Sequence, residues 1–252
     1  MFWKIKWRKE VRFLIASLVL IAVLGFSASQ YDAQTCQKLQ IVIDYNKENR
    51  FLDEQDIQSL LDSNGREFLL NTPYKFLNTR QLELRIKSNP FVESCKISKK
   101  LNGELLIWVK TVQPIVRVLG NAETFYLDAQ GKKIPLSKKY SPHCLVLSTD
   151  NVYFDFKNNE DDKNLLNLLN FIATTDIWKA HIVQIHKQKK NLKVYLQLSD
   201  TVIDFGDWVD WETKMKKIEI LCKYILPKKG WNRYEKVSLK YHQQIVCEYA
   251  ER

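Results

Sequence analysis

The sequence predicts an α+β protein in which an N-terminal transmembrane helix precedes a small helix-and-sheet domain and then a mostly β domain with flanking helices. The first observation is an uncharged apolar run over residues 13–31. The second is the order strand, helix, helix, strand, strand over residues 39–112, which is typical of a small α+β layer. The third is that strand patterns dominate residues 113–252.

The apolar run has the length and composition of one membrane crossing. The preceding tail, residues 1–12, carries five basic side chains against one acidic side chain, a net charge of +4. Because basic residues stay on the cytoplasmic side of a span, we predict that this tail is cytoplasmic and that the chain beyond residue 31 lies outside. A cleaved signal peptide is the alternative, since Ser27-Ala28-Ser29 offers small residues to a peptidase.

The first folded domain begins with a half-buried strand near Leu39, where apolar and polar residues alternate. Asp53 is predicted to cap a short helix, and Thr79 is predicted to cap a second one that ends at Asn89-Pro90. These segments supply one strand and two amphipathic helices.

Two further strands complete this domain. Asn102-Gly103 is a strong hairpin signal between them. On the returning strand, Leu105, Ile107 and Val109 share one face and are predicted to be core residues. Residues 39–112 are therefore predicted to fold as an independent unit.

The second domain is predicted to contain helices among its strands. Leucines at helical spacing predict a helix over residues 162–174. A further helix is expected from about Trp211 to Leu226, with Pro227 ending it. The chain is then expected to close with one strand from Val237 to Tyr249, bulged at Gln243-Gln244.

Composition and charge exclude several classes of protein. With 252 residues, 45% of them hydrophobic, the chain can bury one or two cores, so it is not disordered. The net charge is +10, but +4 belongs to the tail, and no basic stripe with interleaved aromatics follows. We therefore predict no nucleic-acid partner. The five cysteines lack CxxC spacing, which argues against zinc and thioredoxin-like chemistry.

The sequence offers no catalytic constellation. Asp204-Phe205-Gly206 spells the magnesium triplet of protein kinases, but a glycine-rich loop and an HRD motif are missing. Asp204, Asp207 and Asp210 are interpreted as helix-capping and solvated carboxylates rather than metal ligands. No serine lies in a GxSxG elbow, and the four histidines lack ligand spacing. We predict a non-enzyme without cofactor, metal or small-molecule substrate.

Several motifs together resemble the bacterial cell-division family FtsQ/DivIB. They are Asn89–Val92 leading into a hairpin, the exit Gln113-Pro114-Ile115, the turn Phe125–Gly131, Pro135-Leu136-Ser137, Val237–Tyr241, and Gln244-Ile245-Val246. The first unit is similar to the family's POTRA domain. The segment Lys110 to Val116 keeps the family's proline but lacks its acidic residue. In the last strand, Ser238 replaces an acidic residue and Lys240 replaces an arginine.

The resemblance implies a single-pass inner-membrane scaffold of the divisome, with its C-terminal domain in the periplasm. It would bind small bitopic division proteins of the FtsB/FtsL type, help to coordinate septal cell-wall synthesis, and carry no active site. The alternatives are a POTRA-containing chaperone or assembly factor for outer-membrane or secreted proteins, and a periplasmic hydrolase. The chaperone would need tandem POTRA repeats or a membrane barrel, and one POTRA-like unit and no barrel pattern are found.

The resemblance and general physics place the partner site on the final strand, where a partner strand can add to an exposed sheet edge. The predicted partner-binding residues are Lys240, Tyr241, Ile245 and Tyr249. The two tyrosines suit a binding hot spot, and the lysine can meet an acidic partner residue. The alternative is that Tyr241 packs inward with Val237 and Leu239 and that only the backbone binds.

Overall fold

A computed structural model of the chain describes residues 9–45, 49–61 and 69–250. Residues 1–8 of the predicted cytoplasmic tail lie outside this range. The described chain divides into two compact units. The N-terminal unit contains residues 9–45 and the described part of 52–111, and the C-terminal unit contains residues 49–51 and 112–250.

The first helix, α1, runs from Lys9 to Ala33 and covers the predicted membrane span. Large apolar side chains along it are exposed, among them Phe13, Leu18 and Phe26. Within the part of the chain that the structure describes, no helix is long and apolar enough to cross a membrane. The crossing at residues 13–31 stays a prediction.

The rest of the N-terminal unit has the predicted order of elements. These are β1 (Lys38–Asp44), α2 (Glu54–Leu61), a 3₁₀ turn (Tyr74–Phe76), α3 (Thr79–Lys87), β2 (Val92–Lys99) and β3 (Glu104–Thr111). The sheet order is β1-β3-β2, with β1 parallel and β2 antiparallel to β3. β3 is therefore the central strand, and β1 and β2 are the edges.

The hairpin and the core face of β3 are as predicted. Gly103 has a φ of 79°, which glycine adopts without a steric penalty. Leu105, Ile107 and Val109 are fully buried. The apolar alternation of this strand therefore identified the correct face.

One of the two predicted helix caps is correct. The Asp53 carboxylate accepts a hydrogen bond from the Asp56 backbone N–H at 2.9 Å, and Asp56 returns the same contact. The prediction for α3 is wrong by one residue. Asn78, rather than Thr79, is the cap, because its Oδ1 accepts from the Gln81 N–H at 3.1 Å.

The C-terminal unit is built on one nine-stranded sheet. Its strands are β4 (Pro114–Gly120), β5 (Thr124–Asp128), β6 (Lys133–Ile134), β7 (Leu145–Thr149), β8 (Ile182–Gln188), β9 (Asn191–Leu196), β10 (Ser199–Gly206), β11 (Tyr234–Ser238) and β12 (Val246–Tyr249). Their order is β12-β11-β10-β9-β8-β7-β4-β5-β6. β12 and the two-residue β6 are thus the edges.

Helices also contribute to this unit's core. They are α4 (Glu160–Thr174), α5 (Asp176–His181), α6 (Trp211–Ile220) and α7 (Leu226–Lys229), with a π-helical turn at Leu221–Ile225 between the last two. Buried leucines of α4 join apolar side chains from the strands in one cluster. The prediction that Pro227 ends the helix is wrong. Because proline has no N–H to donate, the chain widens into the π turn and then continues to Lys229.

Candidate partner-binding site at the C-terminal hairpin

The chain end forms a hairpin of two strands, so the prediction of one strand from Val237 to Tyr249 is wrong. β11 pairs parallel with β10 and antiparallel with β12. The chain reverses between Ser238 and Val246, where Gln243 takes a left-handed φ of 60°. The apolar alternation ends at Leu239, which is fully buried, and beyond it the chain leaves the core.

This reversal places β12 at the sheet edge. One side of β12 pairs with β11, and among the described residues no strand pairs with its other side. Cys247 opposes Val237, and Val246 opposes Ser238. An edge strand presents backbone N–H and C=O groups that an added strand can satisfy. The hairpin is therefore suited to bind an extended polypeptide.

A buried lysine of α6 fixes the segment between the two strands. Lys217 is only 9% exposed, and its ammonium donates hydrogen bonds to the carbonyl oxygens of Tyr241 at 2.6 Å and Leu239 at 3.4 Å. The Tyr241 side chain is nevertheless 56% exposed. Inward packing of Tyr241 is therefore ruled out, and its backbone is held while its ring faces solvent.

Lys240 is engaged within the chain. Its ammonium lies 2.8 Å from Oδ2 of Asp204, which is buried in β10. The other oxygen of Asp204, Oδ1, is buried without a hydrogen-bond partner. The stem of Lys240 also approaches Gly206, where an added Cβ would lie 2.9 Å from Cγ. In the free protein, Lys240 thus stabilises a buried carboxylate.

The last two predicted site residues differ in exposure. Tyr249 is 64% exposed, and its ring is 5.3 Å from that of Tyr234 and 5.1 Å from the guanidinium carbon of Arg233. Ile245 is half-buried and packs against the apolar cluster. The ring of Tyr249 is thus exposed but contacts two neighbouring side chains, whereas Ile245 contributes to packing.

The supporting residues were missed by the sequence analysis. Asp204 was interpreted as a capping or solvated carboxylate, and Lys217 lies in a predicted helix but was assigned no role. The only signal for Asp204 is its position among apolar residues of β10, where a carboxylate needs a cation. No sequence spacing links Lys217 to Tyr241, because the two meet only after the sheet forms.

The neighbouring carboxylates do not gather a metal site. Asp207 accepts a hydrogen bond from Lys214 at 2.7 Å, and this bond lowers the pKa of Asp207. Asp210 accepts from the Thr213 hydroxyl at 3.1 Å. Across residues 9–45, 49–61 and 69–250, no three metal-ligating side chains come together.

Comparison with known proteins agrees with this architecture. A family model described as FtsQ/DivIB, C-terminal related, matches residues 113–248, and a POTRA-like domain model matches residues 34–110. The chain belongs to the FtsQ/DivIB family. FtsQ/DivIB proteins are non-enzymatic division scaffolds, so the chain is a division-related protein. No curated protein matches the chain.

Proposed function

We propose that this member of the FtsQ/DivIB family is a membrane-anchored divisome scaffold whose C-terminal hairpin binds small bitopic division proteins of the FtsB/FtsL type. Through them it helps to coordinate septal cell-wall synthesis. The observation that carries the proposal is the free edge of β12, flanked by the exposed rings of Tyr241 and Tyr249. This arrangement combines backbone hydrogen bonding with two aromatic anchors.

The partner segment would add to β12 as a tenth strand. Main-chain hydrogen bonds would supply sequence-independent affinity, and side chains that alternate along the added strand would meet Tyr249 and the exposed Val246. Tyrosine loses little conformational entropy on binding because it has few rotatable bonds. The fixed backbone at Tyr241 further lowers this cost.

Lys240 has a conditional role in this proposal. An acidic residue of the partner would compete with Asp204 for the same ammonium. Because Asp204 is buried and would lose its cation, the exchange is costly unless the ammonium bridges both carboxylates. Lys240 therefore contributes less to affinity than the two tyrosines.

We also propose that α1 anchors the protein in the inner membrane, with the tail in the cytoplasm and both folded units in the periplasm. The support is the uncharged sequence of residues 13–31, its basic flank, and the exposed apolar side chains of α1. A reporter fused after Arg252 should be active only outside the cytoplasm. A mature N-terminus near Gln30 in membrane-extracted protein would contradict the anchor.

Binding to the FtsB-type protein of the same organism tests the partner site. Tyr241→Ala and Tyr249→Ala, in the full chain, should each weaken binding by about tenfold or more without lowering the melting temperature. Tyr153→Ala is the matched control, because Tyr153 is 82% exposed and lies outside the hairpin. Full binding after deletion of residues 246–252 from a folded protein would refute the site. Depletion in the host should give filamentous cells.

A further inference from the structure

The outer edge of β1 is a second unpaired strand edge, in the N-terminal unit. β1 pairs parallel with β3 over its whole length, from Lys38↔Glu104 to Asp44↔Lys110. Among the described residues, none pairs with the opposite side of β1. The strand is seven residues long and carries charge only at its two ends. Long apolar edges without a central charge readily recruit another strand.

The other edge of this sheet is protected. Oε1 of Glu83, on α3, accepts a hydrogen bond from the backbone N–H of Ile97 in β2 at 2.7 Å. A side chain that satisfies a strand's own N–H removes the group that an incoming strand would use. This N–H of β2 is therefore capped. Among the described residues, side chains contact the carbonyl oxygens of Lys38 and Asp44 in β1, but none accepts a hydrogen bond from a backbone N–H of residues 38–44.

The core-facing side chains of β1 also leave some apolar surface exposed. Leu39, Ile41 and Ile43 face the same side as the core residues of β3, and they are mostly but not fully buried. Their register partners on β3 are fully buried; they are Leu105, Ile107 and Val109. A strand laid against β1 would cover the apolar surface that remains exposed.

The sequence of β1 is complementary to itself when two copies run antiparallel. With Ile41 opposite Ile41 of a second copy, Lys38 faces Asp44, Leu39 faces Ile43, and Gln40 faces Val42. Both charged pairs are then of opposite sign, and every apolar residue of the core-facing side meets another. We propose that β1 pairs with β1 of a second copy of this chain, joining the two three-stranded sheets into one six-stranded sheet across a two-fold axis.

The charges select this register over its competitors. Parallel pairing in register would place Lys38 against Lys38 and Asp44 against Asp44, which is destabilising. An antiparallel slip by two residues would leave a charge opposite an apolar or amide side chain. A slip by one residue would turn the apolar side chains of one copy to the opposite face. The self-complementary register avoids all three penalties.

The side chains involved are free to make these contacts. The Lys38 side chain is 73% exposed, and its distance of 3.6 Å to Glu104 corresponds to a weak ion pair. Asp44 is exposed as well. The dimer uses a surface other than the β12 edge, so it goes beyond the proposed function and does not depend on it.

Charge reversal in the full chain tests the proposal. The dimer dissociation constant is measured by sedimentation equilibrium in detergent micelles for the parent protein, Lys38→Asp, Asp44→Lys and the double variant. Each single reversal turns two attractive pairs per dimer into two repulsive ones, so dimerisation should weaken by roughly tenfold. The double variant restores opposite charges and should return to within about threefold of the parent. Lys96→Asp, at an exposed position of β2, is the control and should leave the dimer dissociation constant unchanged.

The outcomes distinguish this interface from other modes of association. Weakening by both single reversals together with recovery in the double variant supports pairing through β1. A parent protein that stays monomeric at every concentration overturns the proposal and assigns the β1 edge to another occupant. A dimer that no single reversal weakens beyond the Lys96→Asp control also overturns it, because association then uses α1 or another surface. Loss without recovery in the double variant contradicts the proposed register.

Discussion

The ion pair between Lys240 and Asp204 predicts an asymmetric response to mutation. The carboxylate is buried and one of its oxygens has no hydrogen-bond partner, whereas the lysine side chain is 44% exposed. Lys240→Met removes the ion-pair partner of a buried charge and should lower the free energy of unfolding by about 2–4 kcal/mol. Asp204→Asn leaves a half-exposed ammonium that water can solvate, so its cost should stay below about 1 kcal/mol.

The double variant gives the sharper measurement. Lys240→Met combined with Asp204→Asn should be more stable than Lys240→Met alone, because the buried charge is then absent. Urea unfolding of the full chain in mild detergent, followed by tryptophan fluorescence, reports mainly on the C-terminal unit, which holds four of the seven tryptophans. They are Trp178, Trp208, Trp211 and Trp231.

The matched control for this cycle is Lys236→Met. Lys236 lies 3.3 Å from Glu248, and both side chains are substantially exposed. Its removal should change the unfolding free energy by no more than about 0.5 kcal/mol. If Lys240→Met is no more destabilising than this control, or if the double variant is less stable than Lys240→Met, the reasoning from burial is refuted.

Three further predictions concern the core, a turn and a thiol. Ile107→Ala, at a fully buried site, should cost about 2–5 kcal/mol in urea unfolding, and a loss below about 0.5 kcal/mol would mean that the strand faces are reversed. Gly131→Ala should lower the free energy of unfolding by about 1–3 kcal/mol, because Gly131 has a φ of 76° and its added Cβ would clash with Phe156. Gly230→Ala is the control and should lower it less, because nothing lies near the added Cβ there. Equal losses of stability in the two variants would exclude the clash. Burial raises the pKa of Cys144 to about 11. At pH 8 its alkylation should therefore be about a hundredfold slower than that of an ordinary thiol, and the rate should increase as the pH rises toward that pKa. An alkylation rate in the folded protein equal to the rate in the urea-unfolded protein would contradict this prediction.

Local patterns in the sequence correctly predicted several features of the N-terminal unit. Period-two alternation identified the core face of β3, and Asn102-Gly103 identified the hairpin, because both signals depend only on neighbouring residues. The error at the second helix cap was of one residue. Asn78 and Thr79 are both good caps, and only the backbone conformation decides between them.

The sequence named the residues of the candidate site, but it did not indicate which of them are engaged within the chain. Tyr241 and Tyr249 were predicted to bind a partner, and both are exposed. Their role in partner binding stays a prediction. Lys240 was expected to be free for a partner and is instead paired with Asp204, a residue 36 positions earlier. Ion pairs between distant positions leave no periodic signal.

The sequence by itself determined the elements whose signals are short in range: the apolar helix, the amphipathic helices, the hairpin of the first unit and the family to which their order belongs. The tertiary structure decided which strands lie at the edges. Ser238 to Val246 reads as a continuation of one strand, but β11 already pairs with β10, so the chain must reverse to place β12 on the outside. Edge position depends on pairing between residues far apart in the chain, and this is why only the folded sheet shows where β1 and β12 offer a free backbone.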